Sequence, residues 1–305
     1  MKKYISLILL IIAVGFIYYY RETIVINIEK YYNAQKAKPT LQDKNEYYRG
    51  YDFNYVQKTS SFSPESKQDI RNIFYTVIDS GQDKFSFFCP MNYKNCLDDV
   101  KELANDQESL SHINNFVHPF NSFKHIETRY TTTGKVTINI KKLYTKKQIE
   151  EIQNKVDELS QNLINENLSD EENMKSVHDY IINNSKYDSE RADNNIINYM
   201  SDTAYGPLFE GYALCSGYTD AFELFLEKMH IKSYKVSSNN HIWNAVNLNN
   251  KWYNVDLTWD DPVTSDHSNL LEHDYFMINT RTLLSKENTQ HDFNQEIYSE
   301  IKQEN

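Results

Sequence analysis

The segments HIWNAVNL (241–248) and KWYNVDLT (251–258) are joined by Asn249-Asn250 and together predict a β-hairpin. Both flanks are short runs of the kind that forms β-strands. Asparagine tolerates a positive φ angle, so Asn249-Asn250 suits the two-residue loop of an antiparallel hairpin. A loop of that length sets the strand register and places Trp243 opposite Asp256.

This register brings an imidazole and a carboxylate together. Because residues 241 and 243 share one face of the strand, His241 and Asp256 are diagonal neighbours on that face. Diagonal pairs lie about 7–8 Å apart at the backbone, which lets a carboxylate reach an imidazole nitrogen. The other face carries the apolar side chains that we expect to pack on helices: Ile242, Val246, Tyr253, Val255 and Leu257. A slip of one residue would separate His241 from Asp256.

A cysteine stands at the start of a predicted helix, within the segment GYALCSGY (211–218). A thiol there faces unpaired backbone N–H groups and the positive end of the helix dipole, which stabilise the thiolate. The position alone would equally suit a buried structural cysteine. With His241 and Asp256, Cys215 makes a Cys–His–Asp triad, in which the thiolate attacks a carbonyl carbon to form a thioester. Transfer of the acyl group to water would make the protein a protease or amidase, and transfer to an amine would make it a transglutaminase.

The elements around the triad predict an α+β fold. Apolar residues at helical spacing indicate a helix over 149–163, and Ser169 with Glu172 resembles the capping box of a second helix. A third helix follows Cys215. Short strand-like runs come after these helices, at 231–236, 241–248, 251–258 and 275–278. Helices followed by antiparallel strands are typical of α+β proteins.

These motifs together resemble the transglutaminase-like superfamily. The resemblance rests on CSGY (215–218), HIWN (241–244) and WYNVDLTWDDP (252–262), with support from HDY (178–180) and KYD (186–188), and it covers roughly residues 145–280. It implies a papain-like α+β core of helices packed on an antiparallel sheet. It also implies that Cys215 is the nucleophile, His241 the general acid and base, and Asp256 the residue that orients His241. Bacterial members include proteases, amidases and proteins without demonstrated activity, so the likeness does not select the reaction.

Four aromatic residues are candidates for the walls of the cleft or for the oxyanion site: Tyr205, Tyr212, Trp243 and Trp259. The backbone N–H of Cys215 is the more secure oxyanion donor. The other histidines show no HExxH or other metal-ligand spacing. We therefore expect neither a metal nor a cofactor.

The N-terminal segment predicts a membrane helix. Lys2-Lys3 precede an apolar run from Tyr4 to Tyr20, which as a helix is about 25 Å long, at the short limit of a membrane span. The only small residues that could serve a signal-peptide cleavage site, Ala13 and Gly15, lie inside this run. We expect an uncleaved single-pass anchor with the body outside the cytoplasm. The alternative is a secreted protein released by cleavage.

Cysteine usage is consistent with that location. Cys89 and Cys96 lie close together in a Pro- and Asn-containing stretch and form a possible disulfide outside the cytoplasm. Two unpaired thiols are the alternative. In either case Cys215 remains as a free thiol.

The chain divides into five predicted segments. These are the anchor (1–21), a solvated stalk (22–61), a small α+β unit (62–143), the transglutaminase-like domain (144–290) and a C-terminal tail (291–305). The 305 residues carry a net charge of −11, and Lys or Arg never occur in runs longer than two. Nucleic-acid binding through phosphate neutralisation is therefore disfavoured. Nothing in the sequence indicates an oligomeric state.

Two classes of function fit these features. The first is a membrane-anchored thiol enzyme acting on peptide or cell-wall amides, with hydrolysis slightly favoured over transamidation because no amine site is evident. The second is a non-catalytic surface module that binds a peptide or cell-wall strand in the same cleft. The intact triad favours the enzyme.

Overall fold

The structure is a computed structural model that describes residues 2–35, 39–41, 43–263, 270–286 and 289–302. Parts of three predicted segments lie outside the described residues, namely 36–38 and 42 of the stalk, 264–269 and 287–288 of the transglutaminase-like domain, and 303–305 of the tail. Met1 also lies outside them.

Helices account for most of the regular structure. They are α1 (Lys2–Gln35), α2 (Lys67–Asp79), α3 (Cys96–Asn105), α4 (Gln107–Asn114), α5 (Lys146–Leu163), α6 (Asp170–Asn183), α7 (Ser189–Asn194), α8 (Cys215–Lys228) and α9 (Thr280–Ser285). Capping boxes begin α5 at Thr145 and α6 at Ser169, and the second of these confirms the sequence prediction. Each box satisfies backbone N–H groups that would otherwise lack a partner in the first turn.

The strands form two three-stranded antiparallel sheets and one short parallel pair. They are β1 (Lys84–Phe88), β2 (Phe123–Tyr130), β3 (Lys135–Lys142), β4 (Lys186–Tyr187), β5 (Tyr212–Ala213), β6 (Ser233–Ser237), β7 (Ile242–Leu248) and β8 (Lys251–Val255). The strand orders are β1-β3-β2 and β6-β7-β8, and β4 pairs with β5. The predicted α+β class is confirmed.

The predicted hairpin register is the one observed. Leu248 pairs with Lys251 and Val246 with Tyr253. Asn249 and Asn250 adopt φ angles of 53° and 61°, in the left-handed region that a two-residue hairpin loop requires. His241 consequently lies one residue before β7, and Asp256 lies one residue after β8.

The β6-β7-β8 sheet is buried on both faces, whereas the sequence analysis placed the core on one face only. Val246 and Val255 pack with the helices α5, α6 and α8, as predicted. The opposite face, with Trp243 and Ala245, packs in a second hydrophobic cluster that includes side chains of α2 and β3. His241 and Asp256 therefore lie at the end of a sheet that is held between two hydrophobic clusters.

The prediction of a solvated stalk is wrong for residues 43–61. Phe53 and Val56 are buried in the same cluster as Trp243, and the Arg49 side chain is only 2% exposed. Arg49 donates to Glu223 of α8 at 2.7 Å and forms an ion pair with Glu227. Aromatic and aliphatic side chains spaced irregularly along an extended segment give no periodic signal, so the packing was not visible in the sequence.

The C-terminal segment is likewise packed onto the body rather than a free tail. Tyr298 is fully buried, and its hydroxyl accepts a hydrogen bond from Asn115 at 2.7 Å. The hydrophobic cluster that contains Tyr298 spans both sides of residue 143. The boundary between a small unit and a catalytic domain at 143 and 144 therefore stays a proposal.

Two features bear on the cellular location. The helix α1 contains a stretch, Leu9–Ile28, that is long and apolar enough to cross a membrane and is not buried against the body. A signal sequence near the N-terminus has the same length and composition. Cys89 and Cys96 form a disulfide in this structure, and Cys215 is free and partly exposed.

Because Arg49 neutralises a buried carboxylate, we predict that Arg49→Met lowers the free energy of unfolding by about 3 kcal/mol. The loss arises because Glu223 stays fully buried without its cation. The matched control is Arg129→Met, which removes an arginine that is 72% exposed and paired with Glu127, and its effect should be much smaller. Urea unfolding of the full-length protein in detergent measures both. Equal effects of the two variants would show that residues 43–61 do not pack as described.

Candidate active site

The first helical residue of α8 is Cys215, so its thiol lies at the positive end of a fourteen-residue helix. A close backbone contact determines where this helix begins. The Leu214 N–H donates to the Ser201 carbonyl at 2.7 Å. A Cβ atom at Gly217 would lie 2.2 Å from the same carbonyl oxygen, so only glycine allows the helix to approach the 201–203 loop this closely.

The imidazole of His241 is held between Cys215 and Asp256. Its Nε2 donates to Asp256 Oδ2 at 2.6 Å, and the Cys215 side chain lies near enough to contribute to the raised pKa of the ring. Because Nε2 is directed at Asp256, Nδ1 is the nitrogen left for the thiol. Burial disfavours the charged ring, but the neighbouring Asp256 carboxylate outweighs burial and raises the pKa of His241 to about 10.

The carboxylate of Asp256 is almost fully buried and accepts four hydrogen bonds. Oδ2 accepts from His241 and, at 2.8 Å, from Nε2 of His291. Oδ1 accepts from the backbone N–H groups of Thr258 at 3.0 Å and Trp259 at 3.3 Å. Burial opposes ionisation, yet the charge and hydrogen bond of His241, with that of His291, hold the pKa of Asp256 well below its usual range. The site therefore favours a carboxylate and an imidazolium next to the thiol.

The sequence analysis missed His291. It lies in a single 3-10 turn, Thr289–His291, beyond the motifs that carried the family resemblance. No spacing links it to the triad, because only the folding of the C-terminal segment brings it to Asp256. The proximity of His241, Asp256 and His291 is a property of the tertiary structure.

The two candidate tryptophans occupy different positions. Trp243 is fully buried and stacks on His241 with ring centroids 5.7 Å apart, and its Nε1 donates to Asn254. The buried Trp243 ring belongs to the core and packs against the His241 imidazole. Trp259 is half-buried and donates to the Gln290 side chain at 3.3 Å.

The candidate tyrosines flank the loop that precedes Cys215. Tyr212 stacks on Tyr199 at 4.0 Å between ring centroids, and Tyr205 stacks on Phe209 at 4.5 Å. Their contact with a substrate or an oxyanion stays a prediction. Another tyrosine, Tyr187, lies close to Cys215. Burial and then the nearby Cys215 raise the pKa of Tyr187. The pairing of β4 with β5 places Tyr187 beside Ala213, two residues before Cys215.

A second polar cluster fixes the turn that follows Asp256. The buried His178 of α6 hydrogen-bonds Asp260 Oδ2 at 3.1 Å, and Asp260 Oδ1 accepts from the Tyr275 N–H at 2.9 Å. Burial disfavours the charged form of His178, but Asp179 and Asp260 raise its pKa overall. The HDY motif thus ties α6 to the loop that supplies the carboxylate of the triad.

Two His and Asp groups among the described residues are compact enough to share a metal ion. One is His241, Asp256 and His291, and the other is His178, Asp179 and His273. In both groups the potential ligand atoms hydrogen-bond one another. The expectation that no metal is bound stays a prediction.

Comparisons with known proteins give two partial structural likenesses. No family model matches the chain, and no curated protein matches it. The chain is similar to the crystal structure of a TGase, with 14% identity, a TM-score of 0.34 and 48% of each chain covered. It is also similar to a proposed cysteine protease from Cytophaga hutchinsonii, with 11% identity, a TM-score of 0.28, and 44% of this chain and 61% of that chain covered. The chain thus spans about half the length of the solved structures it matches, and the interpretation of the site rests on its own geometry.

The raised pKa of His241 predicts how stability depends on pH. A histidine whose pKa is higher in the folded state contributes stability that is complete below its unfolded pKa of about 6.5 and is lost as the pH rises through the folded value of about 10. The free energy of unfolding of the wild type should therefore exceed that of His241→Gln most at pH 6, and the difference should shrink towards pH 10. Urea unfolding across this pH range measures it. The control His125→Gln, at an exposed histidine of β2, should show a constant difference. Parallel curves for wild type and His241→Gln would contradict the assigned pKa.

Proposed function

We propose that this protein is a membrane-anchored, extracytoplasmic thiol enzyme that acts on amide bonds through a thioester intermediate. The observation that carries the proposal is the buried Asp256–His241 pair beside a cysteine at a helix N-terminus. A purely structural thiol does not require such a pair beside it, and strongly perturbed pKa values of adjacent groups are typical of catalytic sites.

The first half-reaction follows from the positions of these atoms. The Cys215 thiolate attacks the carbonyl carbon of the amide, and the carbonyl oxygen becomes an oxyanion. The backbone N–H of Cys215, at the first position of α8, lacks an intrahelical acceptor and is the natural donor to this oxygen. When the C–N bond breaks, the His241 imidazolium gives a proton to the leaving amine, which leaves a thioester and a neutral imidazole.

The second half-reaction decides the class of enzyme. Neutral His241 removes a proton from water or an amine, which attacks the thioester carbonyl and releases the Cys215 thiolate. Water yields hydrolysis and an amine yields transamidation. We rank hydrolysis of peptide or cell-wall amides first, because no feature of the sequence indicates an acceptor-amine site. The Asp256 carboxylate remains ionised throughout and stabilises the His241 imidazolium each time it forms.

The runner-up is a non-catalytic surface module that binds a peptide or cell-wall strand in the same cleft. A binding module has no use for a thiolate, so its cysteine should react with iodoacetamide slowly and with an apparent pKa near the ordinary value of about 8.5. The pH dependence of alkylation at Cys215 therefore separates the two proposals without knowledge of the substrate.

The proposed location rests on α1 and the disulfide. The stretch Leu9–Ile28 is long enough to span a bilayer, and Lys2 and Lys3 favour retention of the N-terminus on the cytoplasmic side. The Cys89–Cys96 disulfide is stable in an oxidising compartment. Both features support an anchored protein whose body faces away from the cytoplasm.

Substitutions in the triad should affect turnover to different degrees. Cys215→Ala should abolish amide cleavage, and His241→Ala should be nearly as damaging because the leaving amine loses its proton donor. Asp256→Asn should reduce kcat about 100-fold less than Cys215→Ala does. The double variant Cys215→Ala/His241→Ala should lose almost nothing more than Cys215→Ala alone, because the residues act as a unit. A screen of peptide amides and glutamine donors, with and without a labelled amine, provides the assay.

The control for these variants is His125→Ala, which removes an exposed histidine of β2 and should leave turnover unchanged. Substantial activity in Cys215→Ala would show that the reaction occurs elsewhere in the chain. A double variant far below both single variants would show that Cys215 and His241 act independently.

If α1 is an uncleaved anchor, the protein should remain in the membrane after carbonate extraction and begin at or near Met1. A membrane-impermeant maleimide should label intact cells at Cys215, whereas Cys215→Ala should not be labelled, because Cys89 and Cys96 are paired. A soluble form that begins between residues 16 and 22 would contradict the anchor. Labelling of Cys215 only after the cells are permeabilised would contradict the orientation.

A further inference from the structure

A second histidine contacts the triad carboxylate. His291 Nε2 lies 2.8 Å from Asp256 Oδ2, the same oxygen that accepts from His241. A carboxylate offers about four lone-pair positions. His241 and His291 take the two on Oδ2, and the backbone N–H groups of Thr258 and Trp259 take those on Oδ1. His291 therefore supplies the fourth donor of a fully satisfied buried carboxylate.

The His291 ring is fixed by packing on every side. It is completely buried, stacks on Tyr275 with centroids 5.2 Å apart, and meets Trp243 edge to face at 5.0 Å. The segment that carries it is tied to the body on both sides, by the hydrogen bond from Trp259 to Gln290 and by the bridge from Ser238 to Phe293. The ring thus has one orientation available to it.

The hydrogen bonds of His291 define which nitrogen carries the hydrogen. Nδ1 is buried and finds no partner among the residues that the structure describes. If Nε2 carries the hydrogen, only the Nδ1 lone pair lacks a partner. If Nδ1 carried it, both the Nδ1–H group and a lone pair on Asp256 would lack one, which costs more free energy. Nε2 is therefore the donor. The titratable groups that face the ring are Asp256, His241, at 5.4 Å between ring centroids, and Tyr275.

From this geometry we propose that His291 is a positioning residue for the reaction proposed above. It holds the Asp256 carboxylate in place and ionised, so that His241 stays an imidazolium beside the Cys215 thiol. Without the fourth hydrogen bond the ionised pair of Asp256 and His241 is less stable, because an unpaired buried carboxylate oxygen is unfavourable. The His241 ring is then held less firmly in its charged form and in its position beside Cys215.

This role predicts a separation between kcat and KM. His291 is fully buried, so it does not touch the substrate, and its loss should lower kcat while leaving KM unchanged. It also predicts that a side chain which restores only the donor should restore the rate. Glutamine is that side chain, because its amide nitrogen lies about as far from the backbone as Nε2 of histidine. Leucine fills similar space and has no donor.

The test is the rate of iodoacetamide alkylation of Cys215 against pH in the full-length protein, for wild type, His291→Gln and His291→Leu. At pH 7 His291→Leu should be alkylated about 10- to 100-fold more slowly than the wild type. His291→Gln should stay within about threefold of the wild type. In the Asp256→Ala background, His291→Leu should change nothing further, because the acceptor is gone.

Two results would overturn the proposal. One is a wild-type profile for His291→Leu, and the other is an equal loss in His291→Gln and His291→Leu while both retain the wild-type unfolding midpoint. If His291→Leu does not fold, His291→Asn replaces it, since its shorter amide cannot reach Oδ2 and should lose the rate that His291→Gln keeps. Alkylation needs no substrate. Failure to cleave any amide would therefore count against the proposed function and leave the assignment of His291 to be decided by the pH profiles.

Discussion

The buried carboxylate of Asp256 is the constraint on which the rest of the site depends. A carboxylate out of water is stable only when its charge is balanced and its lone pairs accept hydrogen bonds. Two histidines and two backbone N–H groups meet the second condition, and the charged ring of His241 meets the first. A charged imidazole beside Cys215 in turn favours the thiolate. In the proposed mechanism, one buried negative charge thus prepares the nucleophile.

The surrounding fold holds these groups on rigid elements. The β6-β7-β8 sheet lies between two hydrophobic clusters, so His241 and Asp256 are held at the end of strands that are packed on both faces. The helix α8 approaches closely because Gly217 has no Cβ atom to meet the Ser201 carbonyl. Rigid placement matters because a displacement of about 1 Å between reacting groups lowers rates strongly.

Both ends of the folded body contribute to the site or to its support. Near the N-terminus, Arg49 neutralises Glu223 inside the protein and ties the 43–61 segment to α8. Near the C-terminus, His291 hydrogen-bonds Asp256 and packs against Trp243. The elements predicted as a stalk and a tail are therefore parts of one packed body. A truncation at either end would leave a buried carboxylate without one of its partners. Glu223 would lose Arg49 in the first case, and Asp256 would lose His291 in the second.

Features that depend on local spacing could be predicted from the amino-acid sequence. The two-residue loop at Asn249-Asn250 set the hairpin register, which placed His241 near Asp256, and the pattern around Ser169 determined where α6 begins. Features that depend on contacts between distant segments became visible only in the folded structure. The burial of Trp243, the ion pairs of Arg49 and the hydrogen bond from His291 to Asp256 belong to this second group. The physical reason is that hairpin register and helix caps are determined by neighbours along the chain. The partners of a buried charged group come from whichever segments pack around it. Contacts between such distant segments produce no periodic pattern in the sequence.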